Sequence, residues 1–252
     1  MKIASRNVNG IRAVTSKFYE WVKQNDPDII CLQEVKSFES QLPPEFRYHM
    51  AEYNRIRHIG ERPYSGVATL YKKNLKFVST SKFESVEHFH EDGRVVETKF
   101  QDFTLLNLYF PNERADGTEM LSYKLKFYEH FIHYINKLKD KGEKVITCGD
   151  FNICHRPIDI ARPKENENSI FLPIERAEMD KLEKEYVDVF RHFNPELKDQ
   201  YTRRSFRAAR PRNVRRLDYF RVSKDILSHI KKITHETAVE SDHCPIALEL
   251  SW

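Results

Sequence analysis

The chain has 252 residues, 40% of them hydrophobic and 32% charged, with a formal net charge of +4. That length and apolar share are enough for one large core, and with 7 glycines and scattered prolines no stretch reads as a linker, so one domain over 1–252 is expected. No apolar run approaches about 18 residues and no apolar leader opens the chain. This argues against a membrane protein and for a cytoplasmic one (nucleoid-associated if prokaryotic), a monomer by default.

Residues 1–8 read as a first strand with Ile3 and Val8 inward, and Asn7-Val8-Asn9-Gly10 ends it with two amides on one face. By itself an Asn-rich turn is only a turn. Thr15 or Ser16 is the expected cap of a helix whose Phe18, Trp21 and Val22 follow helical spacing, and Asn25 and Pro27 stop it. Residues 28–34 form a nearly continuous apolar strand, of the kind covered on both faces. Glu34 at its tip is either a solvated strand end or, with other carboxylates buried beside it, a metal ligand. Further strands are expected over 66–71, 94–100 and 103–109, the last two joined tightly at Gln101-Asp102. Tyr109 closes its strand before Phe110-Pro111-Asn112, as a rim hydrophobe or as a hydroxyl within reach of a ligand.

The clearest helix covers 121–141: Leu121, Leu125, Tyr128, Phe131/Ile132, Ile135 and Leu138 make one stripe, and Gly142 stands at the C-terminal cap position. It feeds a strand over 144–148 and then Gly149-Asp150-Phe151-Asn152. Asp150 and Asn152, two apart in extended chain, point the same way at a strand end, where α/β proteins place ligands. An Asx turn describes the same residues equally well. A second amphipathic helix is expected over 175–186, with Ala177, Leu182 and Tyr186 inward. From 203 to 216, seven of fourteen residues are Arg and none is acidic. Such a run is a solvated basic loop or a positive field suited to phosphates. It leads into a strand over 217–222 that carries Asp218, and Ser241-Asp242-His243-Cys244-Pro245 precedes a last strand over 246–250. The four cysteines, at 31, 148, 154 and 244, form no CxxC pair and read as reduced core thiols.

Strands thus end repeatedly in polar residues: Asn7, Glu34, Tyr109, Asp150/Asn152, Asp218 nearby and Asp242/His243. Spread over the whole chain, they suggest one shared site at the rim of a sheet sandwich. Carboxylates with amides are oxygen ligands for a hard divalent cation such as Mg²⁺. An Asp beside a His supplies an orienting or proton-handling partner. The sequence has no GxSxG and no P-loop, which argues against a serine hydrolase and against P-loop nucleotide binding. Metal-assisted hydrolysis of a phosphoester is the leading reaction class.

Asn7-Val8-Asn9-Gly10, Leu32-Gln33-Glu34-Val35-Lys36, Asn107-Leu108-Tyr109-Phe110-Pro111-Asn112, Gly149-Asp150-Phe151-Asn152, Arg216-Leu217-Asp218-Tyr219-Phe220 and Ser241-Asp242-His243-Cys244-Pro245-Ile246 resemble, in order and from end to end, the exonuclease III family of abasic-site DNA endonucleases. Deoxyribonuclease I, sphingomyelinases and inositol polyphosphate phosphatases share the metal and His ends. The middle segments resemble the DNA-repair branch. The resemblance implies an α/β four-layer sandwich, two packed and mostly antiparallel sheets flanked by helices. It implies Mg²⁺-dependent cleavage 5′ to abasic sites in duplex DNA, with Mn²⁺ as a substitute and with 3′-to-5′ exonuclease and 3′-end trimming as companions. By that resemblance Glu34 binds the metal with Asn7 and Asp242 in its shell, and Asp150, Asn152 and His243 also face it. Asp150 positions or deprotonates the attacking water, and Asn152 holds the water or the phosphate. His243, oriented by Asp218, donates to the scissile phosphate, and Tyr109 bonds that phosphate or helps the leaving group. Lys36, Asn112, Arg203, Arg204, Arg207 and Arg215 are the implied DNA contacts.

The chain departs from the family where aromatic residues usually line the pocket for the flipped-out sugar. Arg203, Arg204 and Val214-Arg215-Arg216 stand in those segments, and Arg6 stands where Trp is common. An Arg stacks and binds phosphate but does not build a dry wall. Nuclease chemistry with altered lesion selection is the expectation; a non-catalytic DNA-binding relative and a small-phosphoester phosphatase are the alternatives.

Overall fold

The computed structural model describes residues 1–60, 65–82, 89, 91–112, 118–165, 170–204, 214–236 and 241–252. In chain order the strands and helices are β1 (Lys2–Asn7), α1 (Ile11–Asn25), β2 (Ile29–Gln33), α2 (Pro44–His49), β3 (Tyr53–His58), β4 (Val67–Lys72), β5 (Phe77–Ser81), β6 (Val95–Phe100), β7 (Thr104–Tyr109), α3 (Thr118–Asp140), β8 (Val145–Asp150), α4 (Pro173–Glu183), β9 (Tyr186–Asp188), α5 (Val189–Phe193), β10 (Asp218–Ser223), β11 (Ile230–His235) and β12 (Ile246–Leu250). They form two six-stranded sheets, ordered β11-β12-β1-β2-β4-β3 and β5-β6-β7-β8-β10-β9. Only β1 with β2 and β7 with β8 run parallel, each pair joined through a helix, α1 or α3; the other pairs are antiparallel.

Alternation along the strands builds the layers. Ile3, Ile29, Cys31, Leu105, Ile146, Cys148, Phe220 and Leu248 fill the space between the sheets. The opposite faces carry Ala4, Ile30, Leu32 and Ala247 against Phe18, Trp21 and Phe46 of α1 and α2. On the other side Leu106, Leu108, Val145 and Tyr219 meet Phe127, Phe131, Ile135, Met179 and Leu182 of α3 and α4. The result is the expected α/β sandwich of two mostly antiparallel sheets between helices. Just below one rim a polar link joins the sheets: Gln33 Nε2 donates to Asn107 Oδ1 at 2.7 Å, and Asn107 Nδ2 donates to the Ala68 carbonyl at 2.9 Å. Buried amides matched this way fix one sheet's position on the other.

Several boundaries differ from the sequence reading. Helix α1 starts at Ile11, with Gly10 in its N-cap position at φ 104°. Thr15 does not cap it; its hydroxyl donates back to the Ile11 carbonyl at 2.9 Å, as a mid-helix threonine does. Helix α4 ends at Glu183, and Tyr186 belongs to β9. The Arg-rich run turns inward at its end. Arg216 is wholly buried, its guanidinium shared between Asp159 and Asp188, and Arg191 also reaches Asp159 at 2.7 Å. All four cysteines are buried and free. Among the described residues no helix is long and apolar enough to cross a membrane.

Candidate active site

Strand register gathers the polar ends at one rim. Asp150, the last residue of β8, lies opposite Tyr109 on one side and Asp218 on the other. In the facing sheet Asn7 pairs with Gln33, which puts Glu34 beside it. β1 also pairs with β12 in register Ser5 to Ile246, which brings the preceding segment, Ser241 to His243, to the same rim. Ser241 Oγ donates to the Asn7 carbonyl at 2.7 Å and accepts from the His243 N–H at 3.2 Å. Asn9, Glu34, Lys36 and Asn152 all hold left-handed backbone, φ 45–51°. Non-glycine residues rarely adopt this conformation, and where it recurs at a rim it marks a place built for side-chain presentation.

The side chains form one connected set. Asn7 Nδ2 donates to Glu34 Oε1 at 2.7 Å and to Asp150 Oδ2 at 3.0 Å, so it bridges the two carboxylates. Asp150 Oδ1 accepts the Asn152 N–H at 2.9 Å. His243 Nδ1 sits 2.8 Å from Asp218 Oδ2, and its Nε2 is 3.8 Å from Asp150 Oδ2. Asp242 lies at the outer edge, accepting from Asn9 Nδ2 at 3.3 Å and facing Arg203 Nε at 3.3 Å. Burial drives the Asp150 carboxyl pKa upward, His243 opposing and Asp218 and Glu34 adding to the rise. For His243 burial works downward but the Asp218 and Asp150 carboxylates outweigh it, holding the imidazole at about 9. The ring is therefore cationic at neutral pH, with both nitrogens as donors. Burial also acts on Glu34, yet the Asn7 and Lys36 bonds leave it below the usual carboxylate range. Burial, Glu34 and Asp150 keep the Tyr109 phenol protonated, well above its ordinary value.

This donor set fits a hard divalent cation. Glu34 and Asp150 accept from one amide nitrogen, so two carboxylates stand side by side at the rim, and Asp218 Oδ1 is buried without a hydrogen-bond partner among the described residues; His243, close to Asp150 and Asp218, would ligate only after losing a proton. Lys36 Nζ lies 2.6 Å from Glu34 Oε2 and keeps this carboxylate ionised. Glu34 and Asp150, with Asp242 beside them, would hold the ion through oxygen. The Asn7 amide nitrogen serves the two carboxylates, while its oxygen accepts the Asn9 N–H at 3.0 Å.

A cleft of about 990 Å³ opens over this set, lined by Glu34, Lys36, Tyr109, Asn112, Asp150, Asn152, Arg203, Asp242 and His243 among others. Of the remaining sequence-predicted DNA contacts, Arg204 is exposed, with its N–H bonded to the Asp242 carbonyl at 2.7 Å; Arg215 is buried; and Arg207 lies outside the described residues. Asp92, Arg94, Met120 and Tyr123 also line the cleft and were not singled out from the sequence. Arg94 lies over the Tyr109 ring at 5.2 Å while its Nε donates to Asp92 at 2.8 Å. The signal available was Asp92-Gly93-Arg94 at the start of β6, a strand end like the others.

Gly149 is needed for the close approach of β8 to β7. Its φ is 139°, and an added Cβ would lie 1.9 Å from the Leu108 carbonyl oxygen. Gly149→Ala is therefore expected to destabilise the protein by at least ~2 kcal/mol, read as a fall in the urea midpoint. A midpoint equal to wild type would mean that β7 and β8 separate freely, against the packing seen.

The chain matches the Endonuclease/Exonuclease/phosphatase family over residues 7–243. It is 39% identical over 261 residues to the DNA-(apurinic or apyrimidinic site) endonuclease of Dictyostelium discoideum, covering 98% of this chain and 70% of that protein. It is 38% identical over 257 residues to the exodeoxyribonuclease of Bacillus subtilis (strain 168), covering 98% of each. The solved structure of an AP endonuclease from Archaeoglobus fulgidus superposes with a TM-score of 0.88 at 27% identity over 100% of both chains. The chain belongs to the endonuclease/exonuclease/phosphatase family, in its exonuclease III branch of abasic-site endonucleases, and is a metal-dependent phosphodiesterase.

Proposed function

We propose that the protein is a Mg²⁺-dependent DNA-repair nuclease that cleaves the phosphodiester 5′ to abasic sites in duplex DNA, with 3′-to-5′ exonuclease and 3′-end trimming as further activities. One observation carries the reading: the run Glu34–Asn7–Asp150, with the Asp218–His243 pair beside it, lies at the floor of one cleft. Phosphodiester hydrolysis places negative charge on phosphoryl oxygens, and fixed donors around them lower the barrier. His243, kept cationic by Asp218, offers Nε2 to the scissile phosphate. Tyr109, protonated at neutral pH, offers its hydroxyl to the phosphate or the leaving oxygen. Asp150 accepts the proton of the attacking water and Asn152 holds that water or a phosphoryl oxygen. Glu34 and Asp150, with Asp242 near, would hold Mg²⁺, which would supply Lewis-acid stabilisation of phosphoryl charge, with Mn²⁺ as a substitute. Lys36, Asn112 and Arg203 bind the DNA backbone along the cleft.

Both sheets contribute side chains, so the site needs both halves of the sandwich, and we take the acting unit to be the single domain 1–252 as a monomer. Its free buried thiols suit a reducing cytoplasm. Arg203, tied to Asp242 beside His243, makes a polar wall where an abasic sugar would rest, and this supports broadened lesion choice. The test is one panel with Mg²⁺ at fixed salt: abasic duplex, recessed 3′ end, 3′-phosphate end and damaged-base duplex. Incision of the abasic duplex is expected, with trimming of 3′ ends. Failure to cut any duplex with either metal would sink the proposal. Duplex affinity should fall with a log–log salt slope of about −0.9 per phosphate contacted. A flat salt response with turnover of a small phosphoester would favour a phosphatase instead.

A further inference from the structure

The turn that carries Asp150 and Asn152 is gripped from below by one helix. Lys124 and Tyr128 stand four apart on α3 and so share one face. Tyr128 Oη donates to the Phe151 carbonyl at 2.6 Å, and Lys124 Nζ donates to the Asn152 carbonyl at 2.9 Å. Two consecutive carbonyls are thus held by two side chains of one rigid element. The other polar groups of the turn are also engaged. The Asp150 carbonyl accepts the Phe110 N–H at 2.9 Å, the Phe151 N–H reaches the Leu217 carbonyl at 2.9 Å, and the Asn152 N–H reaches Asp150 Oδ1 at 2.9 Å.

Lys124 is an unusual choice for such a bond. It is wholly buried, and its second partner is the equally buried Glu175. Removing an ammonium and a carboxylate from water costs several kcal/mol per ion, and a pair seldom recovers more than that. A neutral donor would satisfy one carbonyl at lower cost. The ammonium instead joins two places. Glu175 accepts the Leu172 N–H at 3.0 Å and so fixes the start of α4, while Lys124 spans from there to a residue at φ 51°. Asn tolerates that backbone, but something must hold it there. The same residue's Nδ2 donates to the Phe110 carbonyl at 2.9 Å, so its backbone and amide are fixed from two sides.

We infer that Lys124 and Tyr128 are positioning residues for cleavage: they hold the 150–152 turn in the geometry that presents Asp150 and Asn152 to the phosphate and water. This rests on the roles proposed above for Asp150 and Asn152. Neither residue touches the substrate, so their loss acts on kcat and leaves KM for DNA nearly unchanged.

The experiment compares Lys124→Met/Glu175→Gln, Glu175→Gln alone, Tyr128→Phe and Asp150→Ala with wild type on an abasic duplex with Mg²⁺. The double variant removes both buried charges, so no ion is stranded. Small displacements of reacting groups cost up to about 10²-fold, so kcat is expected to fall about 10- to 100-fold in the double variant, with KM within about threefold. Tyr128→Phe, which deletes one oxygen, is expected to lose kcat about 3- to 10-fold with KM likewise held. Glu175→Gln leaves the Lys124 ammonium without its carboxylate and so lowers the urea midpoint, but Lys124 still reaches Asn152, so kcat of the folded protein should stay within about threefold of wild type. Wild-type kcat in the folded double variant or in Tyr128→Phe overturns the inference, as does Glu175→Gln falling as far as the double variant. If the double variant does not fold, Tyr128→Phe alone decides, by the same criterion. An active Asp150→Ala would refute the roles of the site itself; an inactive Asp150→Ala beside a normal Tyr128→Phe refutes only the grip.

Discussion

Asp150→Asn is expected to lower the rate of cleavage of an abasic duplex by about 10²- to 10⁴-fold, the range that positioned proton transfer contributes. The substitution keeps the shape of the side chain and removes one negative charge. Three neighbours make that charge specific. Asn7 donates to one oxygen, the Asn152 N–H to the other, and His243 Nε2 waits 3.8 Å away. An amide at the same place presents a donor toward the Asn7 amide nitrogen, so it both loses basicity and disturbs the bridge to Glu34. Single-turnover cleavage with saturating enzyme measures the effect apart from binding. Binding of the same duplex under chelator should change less than about threefold, since phosphate contacts on the cleft walls set affinity. A variant that still cuts within about tenfold of wild type would mean that another group accepts the proton, and Asp150 would be left as a ligand only.

The rim residues were legible because their signal is local. A polar residue at the tip of an apolar run needs no knowledge of the partner strand, and Asn7, Glu34, Tyr109, Asp150 and Asp218 all sit at such tips. What brings them together is register, which the sequence does not state. Strands β3, β5 and β11 carry no such signal in the sequence, for a physical reason. β5 is exposed almost throughout and β3 and β11 are half-buried, so no apolar alternation marks them. Pairing to a neighbour, not burial, makes them strands. Lys124 was hidden by its type: a lysine in an amphipathic helix reads as solvent-facing. Its spacing, three residues after Leu121 and four before Tyr128, puts it on the face of that stripe, a signal the residue type masks. The cap signal at Thr15 puts the start of α1 too late, whereas the positive-φ turn at Asn9 and Gly10 already starts it.

The Arg-rich run shows the same limit from the other side, and Arg216 tests it. From sequence it is one of seven arginines in a row of fourteen; in the fold its guanidinium is inside the protein. It donates to Asp159 at 2.8 and 3.0 Å and to Asp188 at 3.1 and 2.6 Å, and lies 4.3 Å over the Tyr219 ring. Arg216→Met removes one partner of a buried network and takes the ion pair from Asp188, while Asp159 keeps Arg191; breaking a buried pair typically costs about 3–5 kcal/mol. The urea midpoint should fall accordingly with an unchanged slope. The pH dependence carries the sign. Burial alone would raise the Asp159 and Asp188 carboxyls, but Arg216 holds both below the usual carboxylate range. In the wild type their contribution is therefore full above the unfolded value of about 4 and is lost as pH falls through the depressed folded values. Without Arg216 the burial effect dominates, Asp188 most of all, since Asp159 keeps Arg191. The variant's carboxylates then favour the protonated form, and its deficit relative to wild type should shrink as pH falls from 7 towards 4. Asp188→Asn added to Arg216→Met should recover part of the midpoint at pH 7, with Asp159 left to pair with Arg191. A deficit that grows on acidification would mean that the carboxylates are not the cause. Because Arg216 reaches no surface, the single variant should also leave the salt slope of DNA binding unchanged. Arg203→Met, on the cleft wall, should reduce that slope by about one phosphate's worth.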